Sequence, residues 1–223
     1  MKKTGYHEIT GAISLLSGLR IGGSDDLLQI GGADLTCIRH PVTQAPYLPG
    51  SSIKGKMRSE LEARLGRFGG SKGNEPCGCG DCIVCAVFGM HKPKEHNLGP
   101  SRIIVRDAQL IEGGQIENKS STAIDRKTGT ALRGALRTEQ RVVPGTIFSL
   151  RVGIQIWEID EEAQYTNLSN RNNQGELALV AFVFDGLKLV ERTGLGAGVS
   201  KGSGEIQFLD LKLDGQPVPD GFW

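Results

Sequence analysis

Apolar and polar residues alternate along Tyr6–Leu16, with Ile9, Ile13 and Leu15 on one side and Thr10 and Ser14 on the other. That pattern predicts a strand with one buried face. The cleanest alternation lies in Thr146–Ile156, where Phe148, Leu150, Val152, Ile154 and Ile156 share a face. Arg102–Ala108 reads as another strand and Ile206–Leu213 as the last, with a register change near Phe208–Leu209 that predicts a bulge. In two places the period becomes helical. From Ser51 to Gly66, Ile53, Met57, Leu61 and Leu65 recur at every fourth residue. From Glu176 to Glu191, Leu177, Val180, Ala181 and Phe184 fit one helical face, and Gly194 ends the run. The predicted order is strand, helix, strand, strand, helix, strand. The expected fold class is therefore α+β, with a ferredoxin-like, RRM-like βαββαβ core, a sheet type that is also a common platform for single-stranded RNA.

Two stretches interrupt this core. Residues 67–101 hold a Gly/Ser/Lys loop and a cysteine cluster; residues 113–141 are polar, basic and Gly-containing, with Thr122–Leu132 expected to form an irregular hairpin around Lys127-Thr-Gly129. The expected organisation is one domain over 1–223, with its core in 1–66, 102–112 and 142–223. Glycine-rich loops are expected at Arg20–Asp34, with three carboxylates in Asp25, Asp26 and Asp34, and at Gly194–Gly204. Tyr165–Gly175 reads as a polar, Asn-rich loop.

Charge adds a distribution rather than a total. The formal net charge is +1, which argues against a generic nucleic-acid binder. Yet from Gly50 to Lys72, and again from Lys119 to Arg141, basic residues outnumber acidic ones six to two. Acidic residues gather at Glu158–Glu162 and Glu205–Asp220, so a basic groove on a neutral protein is expected. There is no apolar run long enough to span a membrane, and the charged start is not followed by the apolar core of a signal peptide. The cytoplasm is the expected location.

The helix that opens after Pro46-Tyr-Leu-Pro-Gly50 carries Lys54, Lys56 and Arg58 in its first two turns. The helix dipole is already positive there, so cations cost stability unless an anion docks. Ser51 or Ser52 is the expected N-cap, and Gly50 and Gly55 would allow close backbone approach. A solvated basic face is the ordinary alternative; the clustering favours a phosphate, from a nucleotide or a nucleic-acid backbone.

Cys77-Gly-Cys79-Gly-Asp-Cys82-Ile-Val-Cys85 places four thiols in nine residues. Such spacing in a reducing compartment points to metal rather than disulfides. Tetrahedral Zn²⁺ is the expected ion. An iron–sulfur centre is the alternative, although the Cys-Pro ending of ferredoxin loops is replaced by Ala86, and His91 could substitute for Cys77. A zinc deaminase would carry a His-x-Glu element, which is absent, so the metal is expected to be structural. Cys37 stands apart as a core or loop residue.

Taken together, these segments resemble the RAMP superfamily, specifically the backbone subunit of type III-A CRISPR effector complexes. The resemblance is carried in order by Ile30-Gly-Gly-Ala-Asp34, Pro46–Arg58, Cys82-Ile-Val-Cys-Ala-Val-Phe-Gly89, Ser101–Ala108, Ile124-Asp-Arg-Lys-Thr-Gly-Thr-Ala131 and the Gly194–Gly204 loop. It implies a subunit that stacks as a filament along a guide RNA and cuts complementary target RNA at regular intervals. Lys54, Lys56 and Arg58, with Ser51, Ser52 and Arg20, would hold guide phosphates. Residues 113–141 would form a β-hairpin thumb that kinks the guide–target duplex, with Arg126, Arg133 and Arg137 on phosphates. Gly196, Gly198, Lys201 and Gly202 would contact RNA, and Asp34 would be the catalytic carboxylate, acting as base or through hydrated Mg²⁺ or another divalent ion. Implied partners are the guide and target RNAs, further copies of the chain, a polymerase-like large subunit, a small helical subunit and end-capping RAMP subunits. His40-Pro departs from the acidic residue that many relatives carry before this proline. The competing readings are a non-cleaving architectural RNA-binding subunit and, against the four-thiol set, a zinc enzyme acting on a small substrate.

Overall fold

Strand β6 (Ile147–Trp157) lies inside the main sheet, and its alternating face is wholly interior: Phe148, Leu150, Val152, Ile154 and Ile156 are all buried. This computed structural model describes residues 1–22, 35–92, 95–161 and 175–223. Strand β1 (Lys3–Leu15) runs antiparallel to β6 from Lys3↔Trp157 to Ser14↔Ile147, adding Ile9, Ile13 and Leu15 to the same core. Strand β2 (Ile103–Val105) takes the other edge of β6, and β7 (Ile206–Leu213) and β8 (Gln216–Pro217) extend the sheet beyond β1, giving the order β2-β6-β1-β7-β8. The fold is mixed α+β with antiparallel sheets.

Two long helices supply the opposing apolar layer. Helix α1 (Gly50–Leu65) buries Ile53, Met57 and Leu61 as their spacing predicts, and Gly66, in the left-handed region, ends it. Helix α3 (Gly175–Thr193) buries an almost continuous apolar run including Val180, Phe184 and Leu187. Leu177 is an exception to the predicted face: it is exposed. A short helix, α2 (Ile83–Phe88), was not predicted, because all six of its residues are buried and leave no periodicity to read.

The last strand does bulge, slightly later than the sequence suggests. Its ladder on β1 slips between Ala12↔Leu209 and Thr10↔Lys212, and Asp210 takes φ of 51°. The predicted strand Arg102–Ala108 is also interrupted. Its hydrogen bonding to β6 stops being regular after Val105, and a second piece, β3 (Leu110–Glu112), rejoins β6 at Phe148. Between them the chain bends towards the start of α1, where Leu48 and Ala108 exchange backbone hydrogen bonds of 3.0 and 2.8 Å.

Residues 113–141 contain more regular structure than their polar pattern alone predicts. Strands β4 (Ile116–Ser121) and β5 (Arg137–Val142) form a separate two-stranded ladder, Ile116↔Val142 to Ser121↔Arg137. The predicted irregular hairpin is the tip beyond it, closed by the Ile124↔Ala131 bridge. At its turn the Asp125 carboxylate accepts the N–H groups of Lys127 and Thr128, at 2.8 and 3.1 Å. Those two bonds hold the Asp125 carboxyl below the usual aspartate range.

Candidate nucleic-acid interface and metal centre

The antiparallel register brings the C-terminal end of β1 beside the beginnings of β6 and β7. Of the predicted RNA-contacting segments, the hairpin root, the glycine loop and Arg20 gather towards this end of the sheet, whereas Lys54 lies by Ile103, which pairs Ile154 in the other half of β6. Leu19, just past β1, exchanges hydrogen bonds with Val142 at the root of the β4–β5 hairpin, at 3.0 and 2.7 Å. The Gly194–Gly204 loop closes over the same place: Ala197 N–H donates to the Arg20 carbonyl at 2.9 Å. A Cβ at Gly196 would lie 2.4 Å from that carbonyl oxygen, so only glycine fits there. Gly202 and Lys201 are exposed, and Lys119 of the hairpin donates to the Lys201 carbonyl at 3.2 Å. Arg20 lies in the middle, with its Nε 3.6 Å from the Glu139 carboxylate and without a hydrogen-bond partner among the described residues.

Asp34, with Asp25 and Asp26, lies outside the described residues. The two ends of that segment are described. Gly22 bridges Cys37, and Leu35 bridges Glu139 while its carbonyl accepts Gln140 N–H at 2.8 Å. Cys37 is buried and its thiol donates to the Gln140 carbonyl at 3.2 Å; burial pushes its pKa up to about 11, in keeping with a core residue.

The start of α1 differs from the expected capping. Pro49 is the N-cap residue, and Ser51 and Ser52 stand inside the first turn, so neither is the cap. The Gly50 N–H is instead taken by Asp107 at 2.8 Å, from the bend between β2 and β3. Gly50 is close-packed against its own chain, since a Cβ there would lie 2.3 Å from the Val105 carbonyl oxygen. Around Gly55 there is open space, and Ser51 is exposed. Arg106, exposed beside Asp107, joins the basic groups near this end. The sequence marked both only as strand, although a charged pair breaking an apolar Ile-Ile-Val run was the available signal.

The three cations of α1 have three different settings. Lys54 is half-buried, with its ammonium 3.5 Å from the Ile103 carbonyl. Burial, and then the charge of Arg58, lower its pKa from the ordinary lysine value. Lys56 pairs with Glu60 at 2.5 Å on the outer side. Arg58 turns inward, with Nε on Glu62 at 2.8 Å and Nη2 on the Cys77 carbonyl at 2.7 Å. Nε and one Nη2 N–H of Arg58 are thus engaged by its own chain, and its guanidinium carries three further N–H donors. On the hairpin, Arg126, Arg133 and Arg137 are exposed.

Cys77, Cys79, Cys82 and Cys85 bring their sulfurs within 4.8 Å of one another. The separations Cys77–Cys79, Cys77–Cys82, Cys77–Cys85 and Cys79–Cys85 are 3.5, 3.9, 3.8 and 3.8 Å. Four sulfurs at about 2.3 Å from one tetrahedral ion stand about 3.8 Å apart, so the thiols fit a single metal. They are too close for an iron–sulfur cube, which spreads its cysteines over separate irons. His91 stands outside the set, 3.7 Å from the Glu75 carboxylate, and Cys77 holds the fourth place. Burial first raises the Cys77 thiol to about 11, and the hydrogen bond with Cys85 followed by burial raises Cys82. A bound cation would reverse this balance by stabilising the thiolates.

Among the described residues, no helix is long and apolar enough to cross a membrane. The RAMP superfamily model matches residues 12–207. The CRISPR system Cms endoribonuclease Csm3 of Methanothermobacter thermautotrophicus is 35% identical over 94% of this chain and 86% of its own length. The protein of the same name from Methanocaldococcus jannaschii is 36% identical over 94% and 81%, and that of Mycobacterium tuberculosis 31% over 92% and 87%. Among solved structures, the Csm3–Csm4 subcomplex of the type III-A CRISPR-Cas interference complex contains a chain that superposes with a TM-score of 0.59. The two share 28% identity, over 96% of this chain and 80% of that one. On the extent of these matches, the chain belongs to the RAMP superfamily, in its Csm3 branch.

Proposed function

We propose that this chain is the guide-RNA-binding backbone subunit of a type III-A effector complex and cuts the complementary target RNA at regular intervals. The observation that carries the proposal is the convergence at one end of the sheet. The root of the basic hairpin, the glycine loop, Arg20 and both described ends of the segment containing Asp34 meet there. The antiparallel order β2-β6-β1-β7 with α1 and α3 crossing between strands supports a ferredoxin-like core, with residues 67–101 and 113–141 as its two insertions.

In this reading Lys54, Lys56, Ser51 and Ser52 meet guide phosphates, helped by Arg20, Lys201 and the glycines at 196, 198 and 202. The hairpin, with Arg126, Arg133 and Arg137, is the thumb that bends the guide–target duplex. Arg58 joins Lys54 and Lys56 through the guanidinium N–H groups that do not hold Glu62 and Cys77. RNA brings its own nucleophile, the 2′-hydroxyl, so the protein has to align it with the phosphorus and manage charge and protons. Bending the duplex supplies alignment, and Asp34 takes the proton or orients the group that does. A divalent ion such as Mg²⁺ would supply charge relief on the phosphate through oxygen ligands. The carboxylates Asp25, Asp26 and Asp34 that could hold it lie outside the described residues.

The four-cysteine centre is read as structural zinc, because all four positions are filled by protein thiols and none is left for substrate. Copies of the chain, the guide and target RNAs, a polymerase-like large subunit, a small helical subunit and end-capping RAMP subunits are the proposed partners, in the cytoplasm.

The test is the assembled complex with Asp34→Ala. Guide retention and target binding remain at wild-type level while the regularly spaced cuts disappear. Unchanged cutting removes Asp34 from the mechanism. A wild-type complex that binds target but never cuts replaces this reading with the architectural one.

A further inference from the structure

Glu62 is a carboxylate in the last turns of α1 with only 5% of its surface exposed. Nothing about helix ends calls for it: the α1 start is capped by Asp107 and its C-terminus by the Gly66 turn. Its Oε1 accepts two hydrogen bonds, from Arg58 Nε and from the backbone N–H of Cys77, both at 2.8 Å. The other arm of Arg58 donates to the Cys77 carbonyl at 2.7 Å. One ion pair on α1 therefore grips both polar backbone groups of a single cysteine. The same carbonyl also accepts His91 N–H at 3.3 Å and the Cys85 thiol at 3.5 Å.

A buried ion pair is a poor way to gain stability, since an apolar pair of similar volume commonly does as well. Its value lies in the geometry it fixes. Metal ligands depend on such outer contacts for their orientation, and losing one typically lowers metal affinity about 10–100-fold. We propose that Arg58 and Glu62 are positioning residues of the four-cysteine centre. They set the Cys77 backbone so that its sulfur closes the tetrahedron, and they tie that centre to the helix whose opening turn carries Lys54. The inference rests on the reading of the cysteines as a metal site and is independent of the RNA reading.

The test uses the full chain loaded with zinc, then titrated with a chromogenic chelator, alongside the absorption spectrum of the cobalt(II)-substituted protein. Glu62→Gln keeps the side-chain shape and removes the charge; Arg58→Lys keeps the charge and removes the fork. Both variants release zinc at a chelator concentration at least tenfold lower than wild type, and both shift the cobalt thiolate bands, which a merely stabilising contact would leave in place. Glu60→Gln, on the Lys56 pair of the same helix, behaves as wild type. If the first two variants hold zinc as tightly as wild type with unchanged bands, the proposal is overturned while the zinc reading stands. Wild-type protein that takes up no metal overturns both.

Discussion

At the scale of single residues, Lys54 has a setting unlike that of an ordinary surface lysine. Burial and the nearby Arg58 charge both disfavour its protonated form, so its pKa lies below the ordinary 10.5. A phosphate beside it would reverse that, because an anion stabilises the ammonium. The sign follows directly. Raising the pH removes the Lys54 charge earlier than that of a solvated lysine, and RNA affinity falls with it. Lys54→Arg keeps its charge throughout, so its affinity stays flat over the alkaline range where wild type declines. Parallel decline of the two proteins, measured by filter binding on one RNA, would remove Lys54 from the interface. Arg58 teaches the complementary lesson. In sequence it is the third cation of a basic row, yet it also reaches the Cys77 carbonyl nineteen residues away; no local pattern encodes that contact.

Among the elements, what was legible in the sequence is what has one wet and one dry face. β1 and β6 alternate because one side faces the helices, and α1 shows its period for the same reason. The β4–β5 ladder was not legible in the polar pattern, and only the resemblance implied a hairpin there. In Ile-Glu-Asn-Lys-Ser-Ser and Arg-Thr-Glu-Gln-Arg-Val only Val142 is buried, so their pairing leaves almost no apolar alternation. The cysteine centre was readable from spacing alone, whereas Asp107 at the Gly50 N–H depends on a bend produced by the β2–β3 interruption. Beside that interrupted strand lies another contact hidden from sequence, the pair Arg102–Asp160, whose side chains are both 0% exposed. Asp160 takes two guanidinium nitrogens of Arg102 and the Trp157 N–H, joining the start of β2 to the end of β6. Asp160→Ala would leave a buried guanidinium unpaired and cost about 3–5 kcal/mol in urea unfolding. Arg102→Met combined with Asp160→Leu costs much less. If the single variant unfolds at the wild-type midpoint, the pair contributes nothing to holding these strands together.

For the whole molecule, a net charge of +1 sets no strong field, so long-range attraction to RNA has to come from where the cations sit. The hairpin is suited to be that place. It is a two-stranded sheet apart from the main one, anchored at its root by the Leu19–Val142 bonds and turned at its tip by Asp125. Arg126, Arg133 and Arg137 project from it into solvent, next to the exposed apolar residues Ile124, Leu132 and Leu136. None of the three arginines contributes to the buried core, so replacing them with glutamine leaves the fold intact and isolates their effect on binding. Each phosphate contact steepens the dependence of log affinity on log salt by roughly 0.7–0.9. The triple variant in an assembled complex therefore binds target RNA more weakly at low salt, with a slope shallower by about 2, and the two affinities converge as salt rises. A slope identical to wild type would mean that these charges are only solvated. In that case the proposed bend in the duplex would have to come from the apolar side chains at the hairpin tip, and an Ile124→Ser, Leu132→Ser pair would then suppress cutting without changing the salt dependence.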